Sequence, residues 1–203
     1  MKLFLASTSP RRQHLMKEIG FEFEVVRPDT DENEKKGESP KKMVERFASE
    51  KAMAALTKVK DHCNAGILIS ADTTVVSPNK KSVLNKPTSV AEAAKMLRTI
   101  SGKTHTVLTG YVICEFKNGK VKRWHLEVVR TLVKIRKLTI GEITDYIKTG
   151  EPMDKAGSYG AQGIGMCLIE EIRGSYSNVV GLPMTEVVRD LEKKFGLKPR
   201  WKT

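Results

Sequence analysis

Three hydroxyl side chains and two arginines near the N-terminus form the first group that could do chemistry. Ser7 begins the hydroxyl run, Ser9 ends it, and Arg11 and Arg12 follow after a proline. Serine is a favoured helix N-cap and proline suits the first helical position, so we expect a helix to begin there. The backbone N–H groups and the dipole of a helix N-terminus favour an anion. This turn predicts a phosphate pocket, and a capped surface helix with solvated arginines is the alternative interpretation.

A lysine and an aspartate stand where charged side chains are unusual. Lys51 falls on the apolar stripe of a predicted helix, three residues after Ala48 and four before Ala55. A lysine facing a core is costly unless its ammonium reaches water or meets an anion. Asp72 comes at or just past the end of the apolar run 66–70 (GILIS), which predicts a buried central strand. Such strand ends commonly carry functional groups, although an Asx-turn or a cap is the alternative role for this aspartate.

A glycine-rich stretch over residues 150–165 (GEPMDKAGSYGAQGIG) is the third unusual segment. Glycine allows the backbone to approach a ligand closely. Asp154, Lys155 and Gln162 supply polar groups within the stretch. We therefore expect this segment to line a binding site.

The apolar pattern places these groups on alternating strands and helices. Predicted strands cover residues 3–6, 21–26, 66–70 (resuming at 74–76), 104–116, 121–135 and 166–172, and residues 175–183 are expected to form a loop. Four N-cap residues mark helix starts: Ser9, Ser39, Ser89 and Thr139. A further helix is predicted over residues 184–195. Glu92 and Glu142 complete capping-box patterns with the last two, and Asn118 with Gly119 predicts a hairpin turn.

Composition describes a globular protein with a strongly basic balance. The chain has 203 residues, 39% of them hydrophobic and 30% charged, which suits one large α/β domain or two small lobes. No apolar run approaches the length of a membrane span, and the N-terminal run is too short for a signal peptide. The formal net charge of +12 attracts polyanions, namely nucleic acid, an anionic membrane or phosphorylated small molecules. Most of the lysines are expected to be solvated surface residues.

The cysteines and histidines form no disulfide or zinc pattern. The three cysteines are odd in number and far apart: Cys63, Cys114 and Cys167. This spacing predicts reduced thiols and a cytoplasmic protein. His105 is expected to make a structural hydrogen bond, and a further polar group of the active site is its alternative role. The remaining histidines are expected at the surface: His14, His62 and His125.

Six short motifs occur in one order along the chain. They are SxSPRR near the N-terminus, SADTTVV at 70–76, KP at 86–87, SGKTHTVLTG at 101–110, GEPMDKAGSYGAQG at 150–163 and NVVGLP at 178–183. Together they resemble the Maf family of nucleoside triphosphate pyrophosphatases, sometimes called septum formation proteins, over essentially the whole chain. The ADT and YGxQG motifs are similar to the dTTP/UTP branch. The branch acting on 7-methyl-GTP usually has a different residue after the aspartate and lacks the glutamine.

This resemblance implies a single Maf-like pyrophosphatase domain over residues 1–203. Its fold would be an elongated α/β structure with a mixed sheet and two lobes around a central cleft, similar to inosine triphosphate pyrophosphatases. The implied reaction converts dTTP and UTP to the monophosphate and pyrophosphate with a divalent cation, Mg²⁺ or Mn²⁺. Modified pyrimidine nucleotides are further candidate substrates, and the family implies a homodimer.

The resemblance also assigns roles to matched positions. Three are assigned to catalysis: Asp72, Lys51 and Lys86. Six are assigned to substrate binding: Ser7, Arg11, Arg12, Thr73, Lys155 and Gln162. Three carboxylates are candidate metal ligands: Glu32, Asp72 and Asp154. Uracil and thymine present an acceptor, a donor and an acceptor along one edge, and the amide of Gln162 can read two adjacent groups.

Two other functional classes stay open at this point. A nucleic-acid binder is favoured by the net charge, but no helix carries a recognisable DNA-reading pattern, so specific binding is not expected. A regulatory cell-division protein could keep the same fold without catalysis. The intact Ser, Arg, Asp, Lys and Gln positions favour the enzyme.

Overall fold

Strands and helices are interspersed along the chain, as its apolar pattern predicts. The computed structural model describes residues 1–80 and 82–202. Its strands are β1 (Lys2–Ala6), β2 (Glu24–Val25), β3 (Ala65–Val76), β4 (Val83–Leu84), β5 (Thr104–Lys117), β6 (Lys120–Ile135) and β7 (Ile169–Arg173). Its α-helices are α1 (Pro10–Glu18), α2 (Pro40–Val59), α3 (Val90–Ile100), α4 (Ile140–Lys148), α5 (Tyr176–Val180) and α6 (Met184–Phe195). Within this part of the chain, no helix has both the length and the apolar character to cross a membrane.

These strands form a mixed sheet in the order β2-β1-β3-β5-β6-β7, with β4 paired to β3. β1 pairs in parallel with both β2 and β3. β4 runs antiparallel to β3, and β7 runs antiparallel to β6. The predicted α/β class with a mixed sheet is confirmed, and the run 66–70 lies in an interior strand as expected.

The chain divides into two compact units. The first contains Met1–Asp72, Thr109–Val129 and the chain from Gly181 onward, and the second contains Thr73–Leu108 and Arg130–Val180. Three strands, β3, β5 and β6, contribute residues to both units. The single domain over 1–203 stays a prediction.

Alternating side chains of the first unit fill two apolar cores. Leu5 belongs to the core that packs against α1 and α6. Its neighbour Phe4 belongs to the core covered by α2, through small residues at Ala48, Ala52 and Ala55. Successive side chains of a strand point to opposite faces, so β1 and β3 are buried on both. This double burial is the reason that both strands read as continuous apolar runs.

Helix caps in the second unit follow the sequence patterns with one difference. Thr139 and Glu142 form the predicted reciprocal capping box at the start of α4. Ser89 Oγ accepts from the backbone N–H of Glu92 at 3.2 Å, as predicted. The carboxylate of Glu92, however, accepts from the N–H and hydroxyl of Thr88, both at 2.7 Å. The return bond therefore reaches one residue earlier than a capping box requires.

Several predicted boundaries are corrected. The predicted strand 21–26 is reduced to Glu24–Val25, because β2 lies at the edge of the sheet beside β1. The predicted strand 166–172 starts only at Ile169, since Gly163–Leu168 forms a 3-10 helix that begins at a glycine with φ of +70°. The predicted loop 175–183 contains α5. Asp72 lies inside β3 rather than past its end, because the strand continues to Val76, where β4 pairs with it.

His105 makes the structural hydrogen bond that was expected of it. Its Nε2 lies 2.8 Å from the hydroxyl of Tyr159, and both side chains are buried. Burial lowers the pKa of His105 to about 4. The imidazole is therefore neutral at pH 7, which suits a core position.

The surface position expected for His125 is wrong. Its side chain is only 20% exposed, and its Nε2 lies 2.7 Å from the buried Asp190 of α6. Tyr111 donates to the same carboxylate oxygen at 2.5 Å, and Arg189 and Lys194 contact the other oxygen. Burial would raise the pKa of Asp190, but these donors lower it far below the usual value. The network fastens α6 to the strands of the first unit.

Gly110 of β5 should not tolerate a side chain, and Gly141 of α4 is a matched control. A Cβ on Gly110 would lie 2.6 Å from the backbone oxygen of Val44 in α2, whereas one on Gly141 would meet nothing closer than 3.9 Å. We expect Gly110→Ala to lower the free energy of unfolding by about 2–3 kcal/mol, because helix and strand must separate. Gly141→Ala should raise it by up to about 1 kcal/mol. Urea denaturation measures both, and equal changes would contradict the close contact.

Candidate active site

A buried lysine joins two carboxylates in the first unit. Lys51 Nζ lies 2.7 Å from Asp72 Oδ1 and 2.7 Å from Glu32 Oε1. The side chains of Lys51 and Asp72 are only 9% and 10% exposed, and that of Glu32 is half exposed. Lys51 therefore meets anions instead of extending to water, which gives a reason for a lysine on an apolar stripe.

Three different segments bring these charges together. Lys51 is carried by α2, Asp72 by β3, and Glu32 by the segment that precedes α2. Arg46 of α2 holds that segment, since it donates to the carbonyl of Asn33 at 3.1 Å and to the carboxylate of Glu38. The residue next to Glu32 is thus attached to the helix that carries Lys51.

The Asp72 carboxyl experiences opposing effects on its pKa. Burial raises the pKa, Lys51 and Arg12 lower it, and the nearby charge of Glu32 raises it. The net pKa lies above that of an ordinary aspartate. A buried carboxylate with a raised pKa and a specific cationic partner is typical of a proton acceptor in an active site.

The N-terminal turn adds a hydroxyl and a guanidinium to this cluster. Ser7 Oγ accepts from Ser9 N at 3.2 Å and from Arg12 Nη1 at 3.4 Å. Arg12 Nε donates to the carbonyl of Gly181 at 2.8 Å, which fixes the guanidinium. Burial lowers the pKa of Arg12, whereas the charges of Asp72 and Glu32 raise it. Arg12 therefore lies within the electrostatic reach of both carboxylates.

Ser9 begins α1 as predicted, with an extended backbone, but its side chain makes no capping hydrogen bond within the described residues. The hydroxyl of Ser7 accepts from the backbone N–H of this N-cap residue. Arg11 occupies the first turn of α1 and lowers the pKa of Arg12 by charge repulsion. The turn thus presents a concentration of positive charge at a helix N-terminus, as a phosphate pocket requires.

The other predicted site residues lie in the second unit. Lys155 Nζ contacts Asp154 Oδ1 at 2.7 Å and donates to the carbonyl of Glu151 at 2.7 Å. Thr73 directly follows Asp72 in β3 and is partly buried, and Lys86 is exposed after β4. Gln162 is partly buried.

The structure thus brings the predicted residues into two groups. The first contains Ser7, Arg12, Glu32, Lys51 and Asp72, with Arg11 in the same helix turn. The second pairs Asp154 with Lys155.

The three candidate metal ligands are divided between the two groups. Glu32 and Asp72 both contact the ammonium of Lys51, so their oxygens already stabilise one positive charge. Carboxylate oxygens are the ligands that Mg²⁺ and Mn²⁺ prefer, and this pair fits such a hard cation. Asp154 is 73% exposed and pairs with Lys155.

A second set of metal-ligand types is present in the described part of the chain: His125, Glu127 and Asp190. Arg189 and Lys194 already neutralise Asp190 at 3.0 and 3.3 Å. Tyr111 and His125 contact the other oxygen of Asp190. Because both carboxylate oxygens already have partners, we interpret this set as a structural network.

Sequence reasoning missed Glu151 in the glycine-rich stretch. Its carboxylate accepts from the backbone N–H groups of Ile164 and Gly165 at 2.8 and 2.9 Å. It also accepts from the hydroxyl of Tyr146 at 2.8 Å. A glycine-rich turn leaves N–H groups that need acceptors, so an acidic residue at its start was the available signal.

Comparison with known proteins gives matches over nearly the whole chain. The family model described as Maf-like protein matches residues 2–194. The dTTP/UTP pyrophosphatase of Shewanella sp. (strain MR-7) is 44% identical over 203 residues, covering 98% of this chain and 100% of that protein. The dTTP/UTP pyrophosphatase of Clostridioides difficile (strain 630) is 40% identical over 197 residues, covering 97% of each. Among solved structures, the Staphylococcus aureus Ham1 protein aligns with a TM-score of 0.47 and 15% identity, over 83% of this chain and 80% of that one.

Lys51→Met should destabilise the protein far more than Lys58→Met in the same helix. Removing Lys51 leaves Asp72 buried without its cation, which should lower the free energy of unfolding by about 3 kcal/mol. Lys58 pairs with Asp29 at an exposed position, so its loss should cost less than about 1 kcal/mol.

Chemical denaturation at pH 7 measures both changes. The double variant Lys51→Met/Asp72→Asn should recover part of the loss, because it removes the uncompensated charge. A Lys51→Met protein as stable as Lys58→Met would contradict a buried ion pair.

Proposed function

The chain belongs to the Maf-like protein family, and we propose that it hydrolyses dTTP and UTP to the nucleoside monophosphate and pyrophosphate. The observation that carries this proposal is the buried contact of Lys51 with Asp72, beside Arg12 and the hydroxyl of Ser7. It supplies a proton acceptor and fixed positive charge in one place. The names of the relatives, dTTP/UTP pyrophosphatases, support the choice of pyrimidine substrates.

Hydrolysis between the α- and β-phosphates requires a water directed at the α-phosphorus. We assign Asp72 to take the proton of that water, because its buried carboxylate has a raised pKa. The new bond joins the water oxygen to the α-phosphorus, and the bond from that phosphorus to the bridging oxygen breaks. Pyrophosphate leaves with the electron pair. Lys51 holds the Asp72 carboxylate in place through its contact with Oδ1.

The phosphate charge must be neutralised while the pyrophosphate leaves. Ser7, Arg11 and Arg12 would bind phosphate oxygens at the start of α1, since guanidinium groups suit bidentate contacts. In the second unit, Lys86 and Lys155 would add point charges. A bound Mg²⁺ or Mn²⁺ would supply further charge stabilisation, and the candidate ligands are Glu32 and Asp72 in the first unit and Asp154 in the second.

Selection of the base is assigned to neutral groups and one arginine. Gln162 offers a donor and an acceptor, which fits two adjacent groups on the edge of uracil or thymine. Its amide makes no hydrogen bond within the described residues, so its donor and acceptor are uncommitted. Arg12 and Thr73 are assigned to help in this choice.

We further propose a cytoplasmic homodimer with one pyrophosphatase domain over residues 1–203. The three cysteines are free thiols, which agrees with a reducing compartment. Gel filtration with light scattering tests the dimer directly.

Asp72→Asn should abolish most activity while the protein stays folded, because Glu32 still pairs with Lys51. We expect pyrophosphate release from dTTP to fall at least about 100-fold, because the amide cannot accept the proton. A panel of nucleotides with Mg²⁺ or Mn²⁺, analysed for pyrophosphate and orthophosphate, should give pyrophosphate and favour dTTP and UTP. Asp145→Asn, which alters an exposed pair with Lys148, is the control. Near-wild-type turnover of Asp72→Asn, or GTP as the best substrate, would refute the proposal.

The pH dependence of turnover should report the environment of Asp72. Activity should fall as the pH decreases through the raised pKa of Asp72, because the protonated carboxyl is no longer a base. Lys51 lowers that pKa, so Lys51→Met should raise it further and move the acid limb of the residual activity to higher pH. Lys58→Met should leave the limb unchanged. A limb that moves to lower pH in Lys51→Met would exclude Asp72 as the titrating base.

A further inference from the structure

The turn that carries Gln162 is held on both sides by side chains outside the predicted site. We propose that Glu151 and Tyr176 are positioning residues that determine base preference, because they fix the backbone from which the Gln162 amide extends. This inference rests on the proposed function. All of the residues involved lie in the second unit.

Glu151 closes the turn after Gln162. Its Oε2 accepts from Ile164 N at 2.8 Å, and its Oε1 accepts from Gly165 N at 2.9 Å. Burial would raise the pKa of Glu151, but these backbone donors and Tyr146 lower it, so the carboxylate stays charged. A charged acceptor for two consecutive N–H groups fixes their direction more strongly than a neutral one.

The glycines of the turn allow this close approach. A Cβ on Gly163 would lie 2.6 Å from Glu151 Oε2, and φ at that position is +70°. A Cβ on Gly160 would lie 3.1 Å from Glu151 Oε1 and 2.9 Å from the backbone oxygen of Gln162. The turn can therefore wrap around the carboxylate only with glycine at these positions.

Two tyrosines hold the turn before Gln162. The hydroxyl of Tyr146 donates to Glu151 and accepts from Gly160 N at 3.2 Å. The hydroxyl of Tyr176 in α5 donates to the carbonyl of Ala161 at 3.1 Å. Tyr176 is 50% exposed, so burial of its ring does not account for its position. Its hydrogen bond to the residue before Gln162 explains why a tyrosine lies there.

Fixed backbone and an uncommitted amide are the combination that recognition requires. The residues before and after Gln162 are fixed, whereas the Gln162 side chain makes no hydrogen bond within the described residues. Preorganised groups bind more tightly because less freedom is lost on binding. If the turn becomes more mobile, the Gln162 amide loses its alignment, and the protein distinguishes one base from another less strongly.

The experiment compares kcat and KM for dTTP and GTP in Tyr176→Phe, Glu151→Gln and Gln162→Ala. We expect the ratio of kcat/KM for dTTP to that for GTP to fall about tenfold in Tyr176→Phe and Glu151→Gln, through KM for dTTP. kcat should change less than about threefold, since neither substitution replaces a residue that is assigned to bind the phosphate groups. The control is Glu171→Gln, which replaces an exposed carboxylate of β7 that pairs with Arg173.

A double-mutant cycle separates positioning from a general structural effect. In the Gln162→Ala background, Tyr176→Phe should cause no further loss of discrimination, because the residue that it positions is gone. An unchanged ratio in folded Tyr176→Phe, or an equal loss in both backgrounds, would overturn the inference. Tyr176→Phe removes a single hydroxyl from a half-exposed side chain, so this variant should fold. It therefore tests the inference even if Glu151→Gln fails to fold. A wild-type protein without pyrimidine preference would instead refute the proposed function.

Discussion

The first unit depends on one buried charge, the ammonium of Lys51. Its contacts with Asp72 and Glu32 compensate a desolvation cost that neither the lysine nor the aspartate could bear alone. The contact needs α2 close to the sheet, and the small side chains of α2 together with the bare backbone of Gly110 permit that approach. Packing of small residues therefore serves the electrostatics, since a wider gap would leave the ammonium short of Asp72.

The same constraint sets the protonation behaviour of the site. Asp72 is pushed towards the neutral form by burial and by Glu32, and towards the charged form by Lys51 and Arg12. Burial is the largest of these effects, so the carboxyl has an affinity for a proton above that of a surface aspartate. A raised affinity for a proton is the property that the proposed general base needs.

Local patterns predicted much of the fold, and a misplaced charge predicted part of the site. The apolar period predicted the residues of α6, and the strand–turn–helix around Ser7 was visible from the sequence. Lys51 was conspicuous because a lone cation on an apolar stripe demands a partner. The identity of that partner, and the acceptor role of Glu151, were not predictable from local pattern. Both depend on contacts between segments far apart in sequence, and His125 was misjudged for the same reason, since its partner Asp190 lies 65 residues away.

Charge and selectivity must come from different parts of such a protein. All nucleoside triphosphates carry the same phosphates, so a cation that contacts only phosphate oxygens cannot distinguish one base from another. Discrimination requires donors and acceptors in fixed directions, because a hydrogen bond depends on geometry far more than a charge does. A glutamine on a mobile turn would satisfy any base by rotation. Under the proposed function, rigid attachment of the turn around Gln162 is therefore as necessary to selectivity as the glutamine itself.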